Sequence, residues 1–141
     1  MGQLPRALYD PLVKETIARL ATMIPAGEYV GWLAAPSADP ATIVAGAGVQ
    51  LRQALPHALA ADGHKTLARG RQGIVLNVFT EKAWREKGAA RQLMEAVLAW
   101  AKENGLDTLV LHAAPDGRHL YEALGFVQTN EMRYEGVLSK D

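Results

Sequence analysis

Arg85-Glu86-Lys87-Gly88-Ala89-Ala90, followed by Arg91, is the stretch of this chain whose residue types and spacing best suit chemistry. It joins a run that reads as a strand, Gly73-Ile74-Val75-Leu76-Asn77-Val78-Phe79, to a strongly periodic segment that reads as a helix. At such a corner the first helical amides lack intrahelical partners and carry partial positive charge. Small residues let the main chain come close to a ligand, so the corner suits an anion, above all a phosphate or pyrophosphate. Arg85 and Arg91 add charge-assisted contacts. The spacing is neither that of a P-loop nor that of the three-glycine dinucleotide fingerprint.

The surrounding elements decide where those amides point. Ala90, Leu93, Met94, Val97, Leu98 and Ala101 recur at three- and four-residue spacing, which predicts a helix over about 88–104 with a broad apolar stripe. Gly105 is placed to cap it, having no Cβ to clash at positive φ. Residues 108–112 read as a buried strand, and the helical crossover implies parallel pairing with strand 73–79. A short helix is predicted over 118–124, and final strands over 126–128 and 132–137. Upstream, 11–24 predicts a helix with Leu12, Ile17, Leu20, Ala21 and Ile24 on one side, stopped by Pro25-Ala26-Gly27. Residues 29–34 and 42–51 read as a strand hairpin across Pro36-Ser37-Ala38-Asp39-Pro40. Gly46 and Gly48 inside the second strand predict a bulge or a close approach. Residues 56–72, carrying Pro56, His57, Asp62-Gly63, His64 and Gly70, have no clear pattern and read as a loop. The layout is α+β, a mixed central sheet flanked by helices.

Composition sets the limits. At 141 residues and 49% hydrophobic, the chain has the length of one domain with a sizeable core, so residues 1–141 read as a single domain. Lys+Arg and Asp+Glu balance at 15 each, so no global field favours nucleic acid or an anionic membrane. The lack of cysteine excludes disulfides, thiolate metal sites and a cysteine nucleophile within this chain. No apolar stretch is long enough to span a bilayer and no signal-peptide pattern is visible, which makes a soluble cytoplasmic protein the default expectation. Ser37 lies in a Pro-rich turn and Ser139 near the end of the sequence, so no serine triad is credible. The pairs His57/His64 and His112/His119 lack the i, i+4 geometry of a helical metal site, and no metal is expected.

The corner matches the Arg/Gln-x-x-Gly-x-Gly/Ala signature of the GNAT acyltransferase superfamily, which the chain resembles over roughly residues 70–130. Leu76-Asn77-Val78-Phe79-Thr80 resembles the strand before the signature, and Leu109-Val110-Leu111-His112 the strand after it. Leu120-Tyr121-Glu122-Ala123-Leu124-Gly125-Phe126 is similar to the family's Leu-Tyr-x-x-x-Gly-Phe segment, in the right order and at the right separation.

That resemblance implies a GNAT-like acyl-CoA N-acyltransferase fold and direct attack of a primary amine on acetyl-CoA in a ternary complex. It assigns coenzyme A to Val78, Phe79, Thr80, Arg85, Glu86, Lys87, Gly88, Ala89, Ala90 and Arg91. A main-chain N–H near Val78 or Phe79 is the implied donor to the acyl oxygen. Tyr121 matches the tyrosine that protonates the departing thiolate; the alternative is a core tyrosine with its hydroxyl satisfied. His112 is a candidate base because histidine titrates near neutral pH, although a structural histidine is the commoner finding there. Glu81 and Glu28 are alternative bases. Asn77, Glu81 and Trp84 are placed on the acceptor side, Asn77 because it interrupts an apolar strand. Where the family often has an asparagine seven residues before the tyrosine, this chain has Ala114, with Asp116 nearby. The acceptor is expected to be a small-molecule or peptide amine, held by the first helix, residues 56–72 and the last strands. Family domains usually open with a strand and a helix before the segment that 11–24 resembles; the first strand is expected to be absent here or supplied otherwise, which leaves strand 29–34 as an open edge and predicts a homodimer or an unusual N-terminal course. A catalytically silent acyl-CoA-binding or interaction module of the same fold is the competing reading.

Overall fold

The computed structural model describes residues 5–61 and 63–139. In chain order the elements are α1 (Arg6–Met23), β1 (Tyr29–Ala34), β2 (Ala45–Gln53), β3 (His57–Ala61), β4 (His64–Ala68), β5 (Arg71–Thr80), α2 (Ala89–Glu103), β6 (Thr108–Val110) and α3 (Arg118–Ala123). Single 3-10 turns lie at Lys82–Trp84 and Pro115–Gly117.

Four strands form one sheet in the order β1-β2-β5-β6. β2 is antiparallel to both β1 and β5, while β6 runs parallel to β5 through Gln72↔Thr108, Gly73↔Leu109 and Ile74↔Val110. The expected α+β layout with a mixed sheet is therefore present, and the parallel pair follows from the crossover through α2. Alternate residues of β2, Ala45, Ala47 and Val49, bury one face of the sheet with Val75 of β5 against Leu93, Met94 and Val97 of α2. A period of two on the strand thus meets a period of 3.6 on the helix. Val49, Met94 and Val97 are the largest fully buried side chains, each stabilising by about 1.5–3 kcal/mol. The helix ends as its sequence predicts: Leu106 N–H donates to the Ala101 carbonyl (3.0 Å) and Gly105 N–H to that of Lys102 (3.2 Å), with Gly105 at φ +66°.

Asp107 ties the starts of β5 and β6 together. Its carboxylate accepts the N–H groups of Gly70 (2.7 Å) and Arg71 (2.8 Å), and its own N–H donates to the Arg71 carbonyl at 2.8 Å. Desolvation opposes ionisation of this carboxyl. The main-chain bonds from Arg71, Arg69 and Gly70 outweigh that, holding it below the usual carboxylate range.

Five expectations need correction. Residues 56–72 are not a loop: β3 and β4 pair antiparallel as a separate two-stranded sheet. The signal was Asp62-Gly63, two turn residues between strand-compatible runs; Gly63 takes φ +76°, and Asp62 lies outside the described residues. α1 begins at Arg6, with Pro11 inside it. Proline cannot donate to the Ala7 carbonyl, yet Ala7 is exposed and water can take the place of that bond. The side of α1 expected to pack is instead open, for Leu12, Ile17 and Ile24 are all more than half exposed and no α1 residue is buried. Finally, 126–128 and 132–137 form no strand. The adjacent edge, β6, is three residues long, half-buried rather than buried, and too short to template them.

Among the described residues no strand precedes α1, and β1 forms an edge of the sheet. No helix there is long and apolar enough to cross a membrane.

Candidate active site

The corner after β5 is fixed at both ends. Glu81 N–H donates to the carbonyl of buried Val44 at 2.8 Å, and Trp84 N–H then donates to the Glu81 carbonyl at 2.8 Å. Glu86 takes φ +63° and Gly88 φ +87°, turning the chain so that α2 starts at Ala89. The first bond of the helix runs from Gln92 N–H to the Gly88 carbonyl at 3.0 Å. The N–H groups of Ala89, Ala90 and Arg91 are left without a main-chain acceptor, and Gly88 offers no capping side chain. A Cβ built on Gly88 would meet nothing within 4 Å, so the space beside them is open. Because the apolar face of α2 is locked into the core, these amides and the positive end of the helix point in one direction.

The cations nearby are lightly engaged. Arg85 Nε donates to the Thr80 carbonyl (3.3 Å), Arg91 pairs with Glu95 (3.2 Å), and Lys87 Nζ sits 5.4 Å from the Trp84 ring centre. All are surface contacts worth about 0–1 kcal/mol, so each side chain can swing to an anion at small cost. Glu86 is exposed.

Behind the corner the sheet opens. Pairing of β5 with β6 stops at Ile74↔Val110, while β5 continues from Val75 to Thr80. Over that stretch the register with β2 slips: Gly48↔Leu76 is followed by Gly46↔Phe79, so Asn77 and Val78 together oppose Ala47. This is a bulge on β5, with Asn77 at φ +57°. Val78 turns into the core, and Phe79 lies across Gly46 on the other face, where a Cβ would meet its ring. A Cβ on Gly48 would likewise fall on the Tyr29 hydroxyl. The close approaches expected at Gly46 and Gly48 occur here, while the bulge lies opposite them on β5.

A groove of about 630 Å³ runs along β6 and α3, lined by Leu98, Leu111, His112, Arg118, Tyr121 and Phe126 among others. Tyr121 packs edge-on against Phe126, with ring centres 5.9 Å apart, and over Gly117, where a Cβ would lie 3.0 Å from the ring. Burial pushes the Tyr121 phenol above its ordinary value, so it keeps its proton at neutral pH. Its hydroxyl has no hydrogen-bond partner among the described residues and is not cut off from solvent. Also lining the groove, His112 Nε2 is 2.7 Å from Glu131 Oε1, both side chains being largely exposed.

Most of the residues anticipated from sequence fall into two groups. Glu81, Trp84, Arg85, Glu86, Lys87, Gly88, Ala89, Ala90 and Arg91 form the corner, and Val78, Ala89 and Tyr121 pack on the same core cluster. Tyr121 and His112 share the groove. Asn77 stands apart, since its Nδ2 donates to Tyr29 Oη at 2.9 Å. Neither α1 nor residues 56–72 line the groove, which β6, α3 and residues 126–131 bound instead. Trp32 is a packing residue, in T-shaped contact with Trp100 at 5.4 Å. Tyr29 and Arg118 were not singled out from sequence. For Tyr29 the available signal was a pair of glycines two apart on the next strand, which leaves room for a ring lying across it.

The family model of the acetyltransferase (GNAT) domain matches residues 46–139. Among solved structures the chain is similar to a predicted acetyltransferase from Clostridium acetobutylicum crystallised with acetyl-CoA, at 26% identity and TM-score 0.72 over 89% of this chain and 75% of that one. It is similar also to a GCN5-related N-acetyltransferase from Ralstonia eutropha JMP134, at 29% identity and TM-score 0.71 over 91% and 75% of the two chains. An aminoglycoside antibiotic 6'-N-acetyltransferase from Acinetobacter haemolyticus shares the fold at 18% identity and TM-score 0.64, over 90% and 82%. None of the curated proteins matches the chain.

Proposed function

From the premise that this chain belongs to the GNAT acetyltransferase family, we propose that it moves an acetyl group from acetyl-CoA to a primary amine of a small molecule or peptide. The amine attacks the thioester directly in a ternary complex, within one domain spanning residues 1–141. One observation carries most of this reading: the amides of Ala89, Ala90 and Arg91 are open at a helix start whose Ala89 packs on the same core cluster as Val78, in the stretch of β5 beyond its last pairing with β6. An anion at those amides gains about 0.3–1 kcal/mol from the helix dipole, and charge-assisted bonds from Arg85, Lys87 and Arg91 add to it.

Acetyl-CoA supplies the activated thioester. The chain's own residues hold and polarise it. A main-chain N–H near Val78 or Phe79 receives the acyl oxygen, where a fixed donor is most effective against developing charge. Tyr121 holds a proton for the departing sulfur. His112, oriented by Glu131, takes the proton of the amine. Glu81 and Trp84 form the acceptor-side rim of the corner.

The test is release of coenzyme A from acetyl-CoA against a panel of amines, read with a thiol reagent. Amine-dependent release is expected. Binding without turnover across the panel would favour a silent acyl-CoA-binding module, and no binding at all would remove both readings. Self-association is the further expectation, because β1 is an edge strand and the apolar side chains of Leu33 and α1 are exposed. A strictly monomeric species over a broad concentration range in light scattering would exclude it.

A further inference from the structure

We infer that Tyr29 is a positioning residue for this transfer, acting through Asn77 on the main chain of β5. The inference rests on the coenzyme A reading above and adds a residue to it.

Tyr29 opens an edge strand, yet it is only 8% exposed. Its ring passes over β2 at Gly48, the one residue type that leaves room there, and its hydroxyl reaches β5 beyond. At β5 it accepts the Asn77 side-chain amide at 2.9 Å. Asn77 holds the left-handed conformation that few residues other than glycine adopt, in the bulge itself. In an unbroken strand, residues an even number apart share a face. Here Val75 and Val78, three apart, both pack on the α2 side. The bulge therefore switches the facing of everything after it, side chains and main-chain donors alike. It does so just past Ile74, the last residue bonded to β6. The clamp thus decides which β5 amide looks into the gap where the thioester oxygen is to lie. The corner at Gly88 that would hold the pyrophosphate contributes nothing to the clamp.

Tyr29→Phe keeps the ring over Gly48 and removes only the acceptor. Asn77→Gly keeps access to positive φ and removes only the donor. Calorimetry with acetyl-CoA and with coenzyme A on the wild type, both single variants and the double variant reads the effect without knowledge of the acceptor. Each single change is expected to weaken acetyl-CoA about 3–10-fold while leaving coenzyme A within about twofold, the size of one net hydrogen bond. The double variant should be no weaker than the weaker single one, since both remove the same bond. Equal weakening of the two ligands marks a merely structural pair and overturns the inference, as do unchanged acetyl-CoA affinity or additive losses. A wild type that binds neither ligand overturns the coenzyme A reading itself, and the clamp's role with it.

Discussion

Replacing Gly88 with valine asks whether the corner before α2 is a ligand site or only a helix start. Gly88 sits at φ +87° with nothing within 4 Å of a Cβ, so the direct cost of valine is conformational, about 1–2 kcal/mol. Gly105, beyond the other end of the same helix, has φ +66° and equally open surroundings. Gly105→Val is therefore a matched control with the same penalty and no proposed ligand. For a domain of this size each kcal/mol lowers Tm by roughly 3–5 °C, so both variants should melt about 3–10 °C lower. Only Gly88→Val redirects or covers the amides of Ala89 and Ala90. Losing one bond to a charged phosphate costs about 1.5–3 kcal/mol, roughly 10–150-fold in affinity. Calorimetry should show coenzyme A bound about 10–100-fold more weakly by Gly88→Val and normally by Gly105→Val. Native affinity in Gly88→Val would refute the pyrophosphate corner. Equal losses in the two variants would show affinity tracking stability, and refute it as well.

Tyr121→Phe keeps the packing on Phe126 and Gly117 but removes the proton, so turnover should fall about 10²–10⁴-fold with coenzyme A affinity unchanged. Unchanged turnover, with chemistry rate-limiting, takes Tyr121 out of the mechanism. Burial raises this phenol, so the midpoint of its titration should lie above the ordinary value of about pH 10. An ultraviolet titration of Tyr121 below that point would contradict its burial. Asp107 titrates lower in the folded chain than in the unfolded one, so the unfolded state binds more protons between the two values. Its stabilisation is complete above about pH 4 and is lost as pH falls through the lower folded value. The Tm gap between wild type and Asp107→Asn should therefore be flat near neutrality and close in acid; a gap undiminished at pH 2 would remove Asp107 as the tie between β5 and β6.

The corner and its helix were legible in the residues because their causes are local. The stripe from Ala90 to Ala101, the glycine after Asn104 and the crossover to a parallel strand follow from spacing a few residues long. Tyr121 was legible only through its segment; its half-buried phenol and unpaired hydroxyl depend on Phe126 and Gly117. Other features resisted for physical reasons. The apolar side of α1 suggested packing, but none of the helix is buried and Leu12 and Ile17 stay exposed, because a stripe cannot say whether another element covers it. The β3–β4 hairpin has short, mixed strands whose only strong mark is its turn. The apolar residues after Phe126 looked like strands, but a strand exists only where a neighbour takes its hydrogen bonds.

Residue order alone sufficed for the start of α2 and its open amides, since helical periodicity and the freedom of glycine belong to adjacent residues. Folding decided the rest of the site. Asn77 meets Tyr29 across 48 positions of sequence, and Asp107 meets Gly70 across 37. Neither partner can be read from its own segment, because a polar group's cost or benefit is set by what burial leaves within its reach.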